Sequence, residues 1–438
     1  MIQTIADYTS DYSARGIAEG ISRAIRDGAL PAGSQLPPIR RLATEFHCSP
    51  TTVSAAWTIL TRAGLIHSNR RLGTTVIPQS PSGRGRYRRA LERTTTLSID
   101  LSTGVPDPAL LPDLAASLSR VGVCQAAATY VTEPVLPELG EHLRSTWAFP
   151  ADTITVVDGA MDALDLIVTT HLQFGDRVVV ENPSFPPLLD LLDAAGVRIV
   201  PVDLDDEGIR PEALSAALRS EPRAVFLQPC AQNPTGASFT KRRADELAGV
   251  MEGHDAFVVE NDSTGMIAAS SLHSIGARLP GRCLHVRSFS KSHGPDLRLA
   301  AVGGAAALVE PIVNRRFLGQ SWTSHLLQRV LLDLLTHDES VAQIDRAARE
   351  YARRRVALIR ALAHHDVVVR GGDGLNIWLP VVDEAAALIA LSGRGIGVAP
   401  GRPFWVGADP AHHVRVTSGL IAEDTAMIGA ALAAAASS

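Results

Sequence analysis

Apolar side chains at Ile17, Ile21, Ala24 and Ile25 recur at helical spacing and predict an amphipathic helix over residues 13–27. The turn-rich stretch Leu30-Pro31-Ala32-Gly33-Ser34-Gln35-Leu36-Pro37-Pro38 ends it. A short helix is expected over 39–46, then a tight link at His47-Cys48-Ser49. Ser49 suits an N-cap and Pro50 the first helical position, so a third helix should run from Pro50 to about Ala63 and stop at Gly64. Leu65-Ile66-His67 and Thr74-Thr75-Val76-Ile77 predict two short strands. From about Asp100 onward the pattern changes. Apolar β-branched runs at 154–157, 177–180, 198–202, 224–227 and 256–259 alternate with helix-length amphipathic segments. That alternation predicts an α/β body with a mainly parallel sheet covered by helices.

Charge divides the chain at the same place. Residues 1–97 hold 13 arginines and 6 acids, a balance of +7; against the chain's net −5 this leaves −12 for the remainder. A basic head of three helices and a hairpin is the layout of a winged helix-turn-helix, whose third helix can enter a major groove while arginines on the turn and wing hold phosphates. Residues 79–97, rich in Ser, Gly and Arg, are expected to form a flexible linker spanning on the order of 25 Å.

A chain of 438 residues suggests two or three domains. No signal-peptide pattern opens it, and no apolar run is long enough to span a bilayer. Its four cysteines are scattered without a CxxC pair, which fits the cytoplasm and argues against structural zinc or disulfides. No metal and no membrane partner are expected.

The two lysines, Lys241 and Lys291, stand against 39 arginines. Lys291 lies in Ser288-Phe289-Ser290-Lys291-Ser292-His293-Gly294-Pro295-Asp296-Leu297-Arg298. An amine condenses with an aldehyde and a guanidinium does not, so a lysine kept here points to pyridoxal 5'-phosphate chemistry. Several other motifs lie where open α/β sheets bind ligands, at strand ends. Gly159-Ala160-Met161 opens a helix whose backbone N–H groups can hold a phosphate. Phe185 could stack on a flat ring, Asn233 in Gln232-Asn233-Pro234-Thr235-Gly236 could hydrogen-bond a phenolate, and Ser288, Ser290 and Arg298 could add phosphate contacts. Glu260-Asn261-Asp262 ends another strand, and a carboxylate there can keep a pyridine nitrogen protonated.

These residues carry two resemblances. Residues 10–78, through Pro31-Ala32-Gly33-Ser34-Gln35-Leu36-Pro37-Pro38-Ile39-Arg40-Arg41-Leu42-Ala43, the Ser49-x-Thr51-Thr52-Val53 helix start and the Gly73-Thr74-Thr75-Val76 wing, resemble the DNA-binding domain of the GntR family. The resemblance implies contacts to double-stranded DNA from Arg40, Thr51, Thr52, Arg70 and Arg71. Pro50 stands where that family usually has an arginine. From about Leu101 to Thr417 the chain resembles the fold-type I, class I/II aminotransferases, which implies such a domain over 98–438 with a smaller C-terminal α+β subdomain. A GntR-like head on such a body, with Gly104-Val105-Pro106-Asp107-Pro108, resembles the MocR/GabR-type regulators. On this resemblance Lys291 is the Schiff-base lysine, Asn233 the O3′ partner, Phe185 the stacking ring and Arg298 a phosphate anchor. Arg415 and the Gly104 segment would take an effector's carboxylate, and Tyr130 would reach the phosphate across a homodimer interface. The group's usual Asp-Asp-Tyr is Asn261-Asp262-Ser263 here, which removes a tyrosine and leaves the register of the ring-nitrogen partner open. Asp262, the nearest carboxylate, is expected to take that role. The expected function is a cytoplasmic regulator sensing a small amine or amino acid through an aldimine at Lys291. The alternatives are a working aminotransferase with a vestigial head and a sensor of pyridoxal phosphate itself.

Overall fold

The structure, a computed structural model, describes residues 1–31, 33–62, 65–69, 73–76, 85, 97–122, 133–407 and 411–437. They form two compact units, the first running from Met1 to Gly85 and the second holding most of the remaining chain.

In the first unit the helices are α1 (Ile2–Tyr8), α2 (Ala14–Arg26), α3 (Ile39–Glu45) and α4 (Pro50–Arg62), followed by the strands β1 (Ile66–Asn69) and β2 (Gly73–Val76). Side-chain caps fix where two helices start. Ser13 Oγ accepts from Gly16 N, and Ser49 Oγ accepts from Thr52 N at 3.1 Å. β1 and β2 form an antiparallel hairpin that sets Ile66 opposite Val76. Ile17, Ile21, Leu42, Val53, Trp57, Leu60, Ile66 and Val76 close one core. The same core fully buries Ile5 of α1, a helix too short for its periodicity to show in the sequence.

The second unit carries β3 (Ile99–Asp100), β4 (Thr153–Val157), β5 (Arg177–Asn182), β6 (Arg198–Asp205), β7 (Gly208–Ile209), β8 (Ala224–Leu227), β9 (Phe257–Asp262), β10 (Cys283–Ser288), β11 (Ala300–Gly304), β12 (Ile377–Pro380), β13 (Ile396–Gly397), β14 (Ala399–Pro400) and β15 (His413–Val416). Eight of them make one sheet in the order β4-β11-β10-β9-β8-β5-β6-β7. β5, β8, β9 and β10 run parallel, and β11 runs antiparallel to β10 and β4. Val178, Val179 and Val180 are all fully buried, so both faces of β5 are covered, as a parallel sheet requires. A smaller sheet, β12-β15-β14, packs with the helices over residues 338–363, 384–392 and 425–436 around Leu358, Ile377, Leu391, Val414 and Leu432. This is the α/β body with its smaller C-terminal α+β part. Its strand ends carry every body motif singled out above except Tyr130, Gly104 and Arg415. Tyr130, like most of the 79–97 linker, lies outside the described residues.

Candidate functional site

The structure brings Lys291, Gly104, Arg415 and Asn233 together. Lys291 follows β10, and its Nζ donates to Gly104 O at 2.9 Å. Arg415, on β15, is 2 % exposed; Nη1 donates to Asn233 Oδ1 at 3.3 Å, Nη2 donates to Ser102 O, and its guanidinium carbon lies 5.2 Å from the centre of the Phe404 ring. Gly104 has φ +68°, and a Cβ there would stand 3.0 Å from both terminal nitrogens of Arg415. Glycine is thus required twice over, by backbone conformation and by the guanidinium against it. Thr417 Oγ1 accepts from Gly104 N at 2.9 Å and holds that approach. Ser102 and Thr417 escaped the sequence reading because their contacts to the site cross 313 residues; Phe404, only 11 residues from Arg415, sits in no motif that marks it.

Electrostatics follow from this packing. Lys291 as a residue is only half-buried, but its amine is desolvated, and that burial, with Arg415 nearby, pushes it down to about 8. About one amine in ten is then neutral at pH 7, against roughly one in 2,500 for an ordinary lysine. Only the neutral amine attacks a carbonyl. The rate at which added pyridoxal phosphate becomes borohydride-trappable on Lys291 should therefore rise about tenfold from pH 6 to pH 7. It should level off above about pH 8; a rise continuing to pH 10 would show an unperturbed lysine. Burial likewise raises the Glu181 carboxyl to about 8. Glu181 accepts from Gln228 N at 3.1 Å and Gln232 Nε2 at 3.2 Å, tying the end of β5 to the turn that carries Asn233.

The residues at the head of the helix Ala160–His171 could hold an anion. Gly159 is buried with φ +100°, and a Cβ on it would meet the Arg298 guanidinium at 3.5 Å. Arg298 makes no ion pair among the described residues, so its charge stands available beside the unpaired N–H groups of the helix start at Ala160 and Met161. Ser288 is buried, and its Oγ accepts from Ser290 N at 3.3 Å. Phe185 is half-buried just before the helix Pro186–Ala194.

Asn261 and Asp262 lie on opposite faces of β9 because successive strand side chains alternate. Asn261 pairs with Val286 and so shares a face with Ser288, two residues further along β10. It also shares a face with Phe257, whose ring centre is 5.5 Å from that of His171 in the helix headed by Gly159. Asp262 pairs with Arg287 and lies on the face of Glu260 and His285. Its Oδ1 accepts from Gly265 N at 2.9 Å, and its Oδ2 is 3.9 Å from His285 Nε2. Glu260 Oε2 in turn lies 3.0 Å from His285 Nδ1. Asp262 is thus committed to a buried cluster facing away from Ser288.

In the first unit, Arg40 and Thr51 are exposed, and Thr52 is half-buried with its hydroxyl 2.8 Å from Ser49 Oγ. The buried side of α4 is Val53, Ala56, Trp57 and Leu60, which leaves Thr51, Ser54, Ala55 and Thr58 outward. Arg70 and Arg71 lie outside the described residues. Among the described residues no helix is long and apolar enough to cross a membrane, and no cluster of His, Cys, Asp and Glu could hold a metal ion.

Two family models match this chain: "Aminotransferase class I and II" over residues 97–431 and "Bacterial regulatory proteins, gntR family" over residues 13–76. The chain is 37% identical over 413 residues, 92% of its length and 94% of the relative's, to the vitamin B6 salvage pathway transcriptional repressor PtsJ of Salmonella typhimurium. It is 26% identical over 424 residues, 93% of its own length and 92% of the relative's, to the pyridoxine biosynthesis transcriptional regulator PdxR of Corynebacterium glutamicum. The chain belongs to the GntR-family regulators of MocR type, which join a helix-turn-helix head to a class I and II aminotransferase domain. Its body shares the fold of α-aminoadipate aminotransferase LysN from Thermus thermophilus, solved with N-(5'-phosphopyridoxyl)-L-leucine, at a TM-score of 0.71 and 22% identity over 81% of this chain and 96% of that one.

The aminotransferase class I and II family depends on pyridoxal phosphate, and the residues present here fit that group. A desolvated amine at Lys291, a guanidinium and a helix start around Gly159, an amide at Asn233 and a buried side-chain amide on Asn261, whose Oδ1 has no partner among the described residues, could supply one partner for each of its polar parts.

Proposed function

We propose that this chain is a pyridoxal-phosphate-dependent transcription regulator in the cytoplasm, with double-stranded DNA bound by residues 10–78, the cofactor by residues 98–438, and residues 79–97 linking them. The observation that carries the reading is the desolvated amine of Lys291, hydrogen-bonded to Gly104 O beside Arg415, in a chain that also holds a winged helix-turn-helix. When bound, pyridoxal phosphate supplies an aldehyde carbon that bonds amines and a ring that accepts electron density.

Lys291 would hold that carbon. Arg298, Ser288, Ser290 and the Gly159-Ala160-Met161 helix start would hold the phosphate, Asn233 the ring hydroxyl, and Phe185 would stack against the ring. Arg415, against the Gly104 segment, binds the carboxylate of a small amino-acid effector bidentately. An effector at Arg415 alters DNA binding only as far as it binds the two states of the protein unequally. The body would act as a homodimer, with Tyr130 reaching the partner's cofactor.

A second reading has its own support. Two relatives are named for vitamin B6 salvage and pyridoxine biosynthesis, which favours pyridoxal phosphate itself as the signal. One experiment separates the two. Loaded protein is titrated with a panel of amines and amino acids while cofactor absorbance and affinity for a DNA fragment are followed. A compound that shifts both, with the response lost in Arg415→Ala, supports the amino-acid effector. DNA affinity that changes on adding pyridoxal phosphate and on nothing else supports the second reading. A DNA affinity that responds to neither sinks both.

A further inference from the structure

The geometry points to Asn261, a neutral amide, as the partner of the cofactor's ring nitrogen, so that this chain holds the pyridine ring unprotonated. The inference rests on the reading of the body as a pyridoxal-phosphate site.

Three independent observations lead to it. The first is strand parity. Asn261 is on the face of β9 shared with Ser288 of β10 and with Phe257, which packs toward the helix headed by Gly159. The phosphate end of the site is on that side. Asp262 is one residue later and so faces away.

The second is commitment. Asp262 already accepts from Gly265 N at 2.9 Å and faces His285 and Arg287, with Glu260 bridging His285 to Ser274 Oγ and Ile275 N. Turning that carboxylate through the sheet would break the Gly265 bond and take a carboxylate away from the Nε2 side of the buried His285. The third is vacancy. Asn261 is 3% exposed, yet its Oδ1 has no hydrogen-bond partner among the described residues. More than nine in ten buried polar groups have one. A buried amide on the cofactor side of the strand end, lacking a partner from the chain, is a group reserved for a ligand.

The chemical consequence follows from charge. Burial disfavours the charged pyridinium. A carboxylate against the nitrogen would offset that cost with a full opposite charge; an amide supplies none. A half-turn of the Asn261 amide presents Nδ2, which donates to an unprotonated ring nitrogen and satisfies both groups. The ring then holds its place but draws electrons weakly. Amines would still exchange with Lys291 at the aldehyde carbon, each forming a bond there as the Lys291 amine is released, because that chemistry belongs to the aldehyde carbon. Loss of the α-proton, which needs the electron-poor ring, is suppressed. This is a site suited to holding and reporting an amine rather than converting it.

The test uses the full chain loaded with pyridoxal phosphate carrying a nitrogen-15 ring label. We expect the ring-nitrogen resonance at the position of neutral pyridine in the natural protein. In Asn261→Asp it should move to the pyridinium position, and the exchange of an amino acid's α-hydrogen with deuterated water should become faster. Asp262→Asn should leave the resonance where it is. A pyridinium resonance in the natural protein overturns the inference, and more directly if Asp262→Asn abolishes it. An unchanged resonance in Asn261→Asp also overturns it. Failure of the underlying reading shows separately: mass spectrometry after borohydride would find no cofactor on Lys291 in the natural protein, and the inference would fall with it.

Discussion

Lys291→Ala should leave the protein with no borohydride-trappable cofactor. The chain has one other lysine, Lys241, which is exposed at the start of the helix Lys241–Met251. Nothing else in the body offers a primary amine. Burial and Arg415 hold about one Lys291 amine in ten neutral at pH 7, roughly 250 times the share of an ordinary lysine, so the natural protein should trap the cofactor at this position alone. The variant should still bind pyridoxal phosphate reversibly through the anion site at Gly159 and Arg298. Its absorbance should be that of the free aldehyde. Lys291→Arg sharpens the test. It keeps the positive charge but cannot bond a carbonyl carbon, so it should lose trapping as completely as alanine does. Mass spectrometry of the reduced protein reads the result. A trapped adduct that survives in either variant would move the covalent centre elsewhere.

Much of this arrangement was legible in the chain because it is written locally. Lys291 with its flanking serines, the Asn233 turn, Gly104 and Arg415 each sit in a short motif, and the Ser49-Pro50 pair marked the start of α4 to the residue. Elements that depend on distant packing were not legible. β11 reads Ala300-Ala301-Val302-Gly303-Gly304, a sequence of low β-propensity. Its glycines answer a tertiary demand: a Cβ on Gly303 would stand 2.7 Å from Trp147, some 150 residues away. Gly303 thus makes room for a ring from a distant part of the chain, a demand its local sequence does not show. The ring-nitrogen partner stays open in the sequence for a different reason. Strand side chains alternate with a period of two, so a one-residue uncertainty between Asn261 and Asp262 exchanges the two faces of the sheet. Chemistry favoured the carboxylate, and only the register against Val286 and Arg287 shows which face each residue takes.

DNA binding should show the largest salt dependence of any property of this protein. The head carries +7 over residues 1–97 and the rest −12, so attraction to phosphates must come from the head while the body opposes it. If paired heads neutralise 6–10 phosphates, affinity for a fragment from upstream of the chain's own gene should fall by about 10³–10⁵ between 50 and 200 mM salt. Arg40 tests the geometry within that total. It is exposed on α3, and the core beneath it is made by Leu42 and Ala43. Arg40→Ala should therefore leave the fold intact. It should weaken binding to every sequence by a similar factor and reduce the salt slope by about one for each head engaged. Thr51→Ala should behave differently. Thr51 is exposed in the first turn of α4, the helix that would enter the major groove, and its hydroxyl lies 2.6 Å from Ser49 Oγ. Losing it should change the preference among fragments by about 1–3 kcal/mol and leave the salt slope alone. Fluorescence anisotropy across a salt series reads both variants. Affinity that does not change with salt, or a slope that Arg40→Ala leaves untouched while Thr51→Ala lowers it, would mean that this face of the head does not lie on the phosphate backbone.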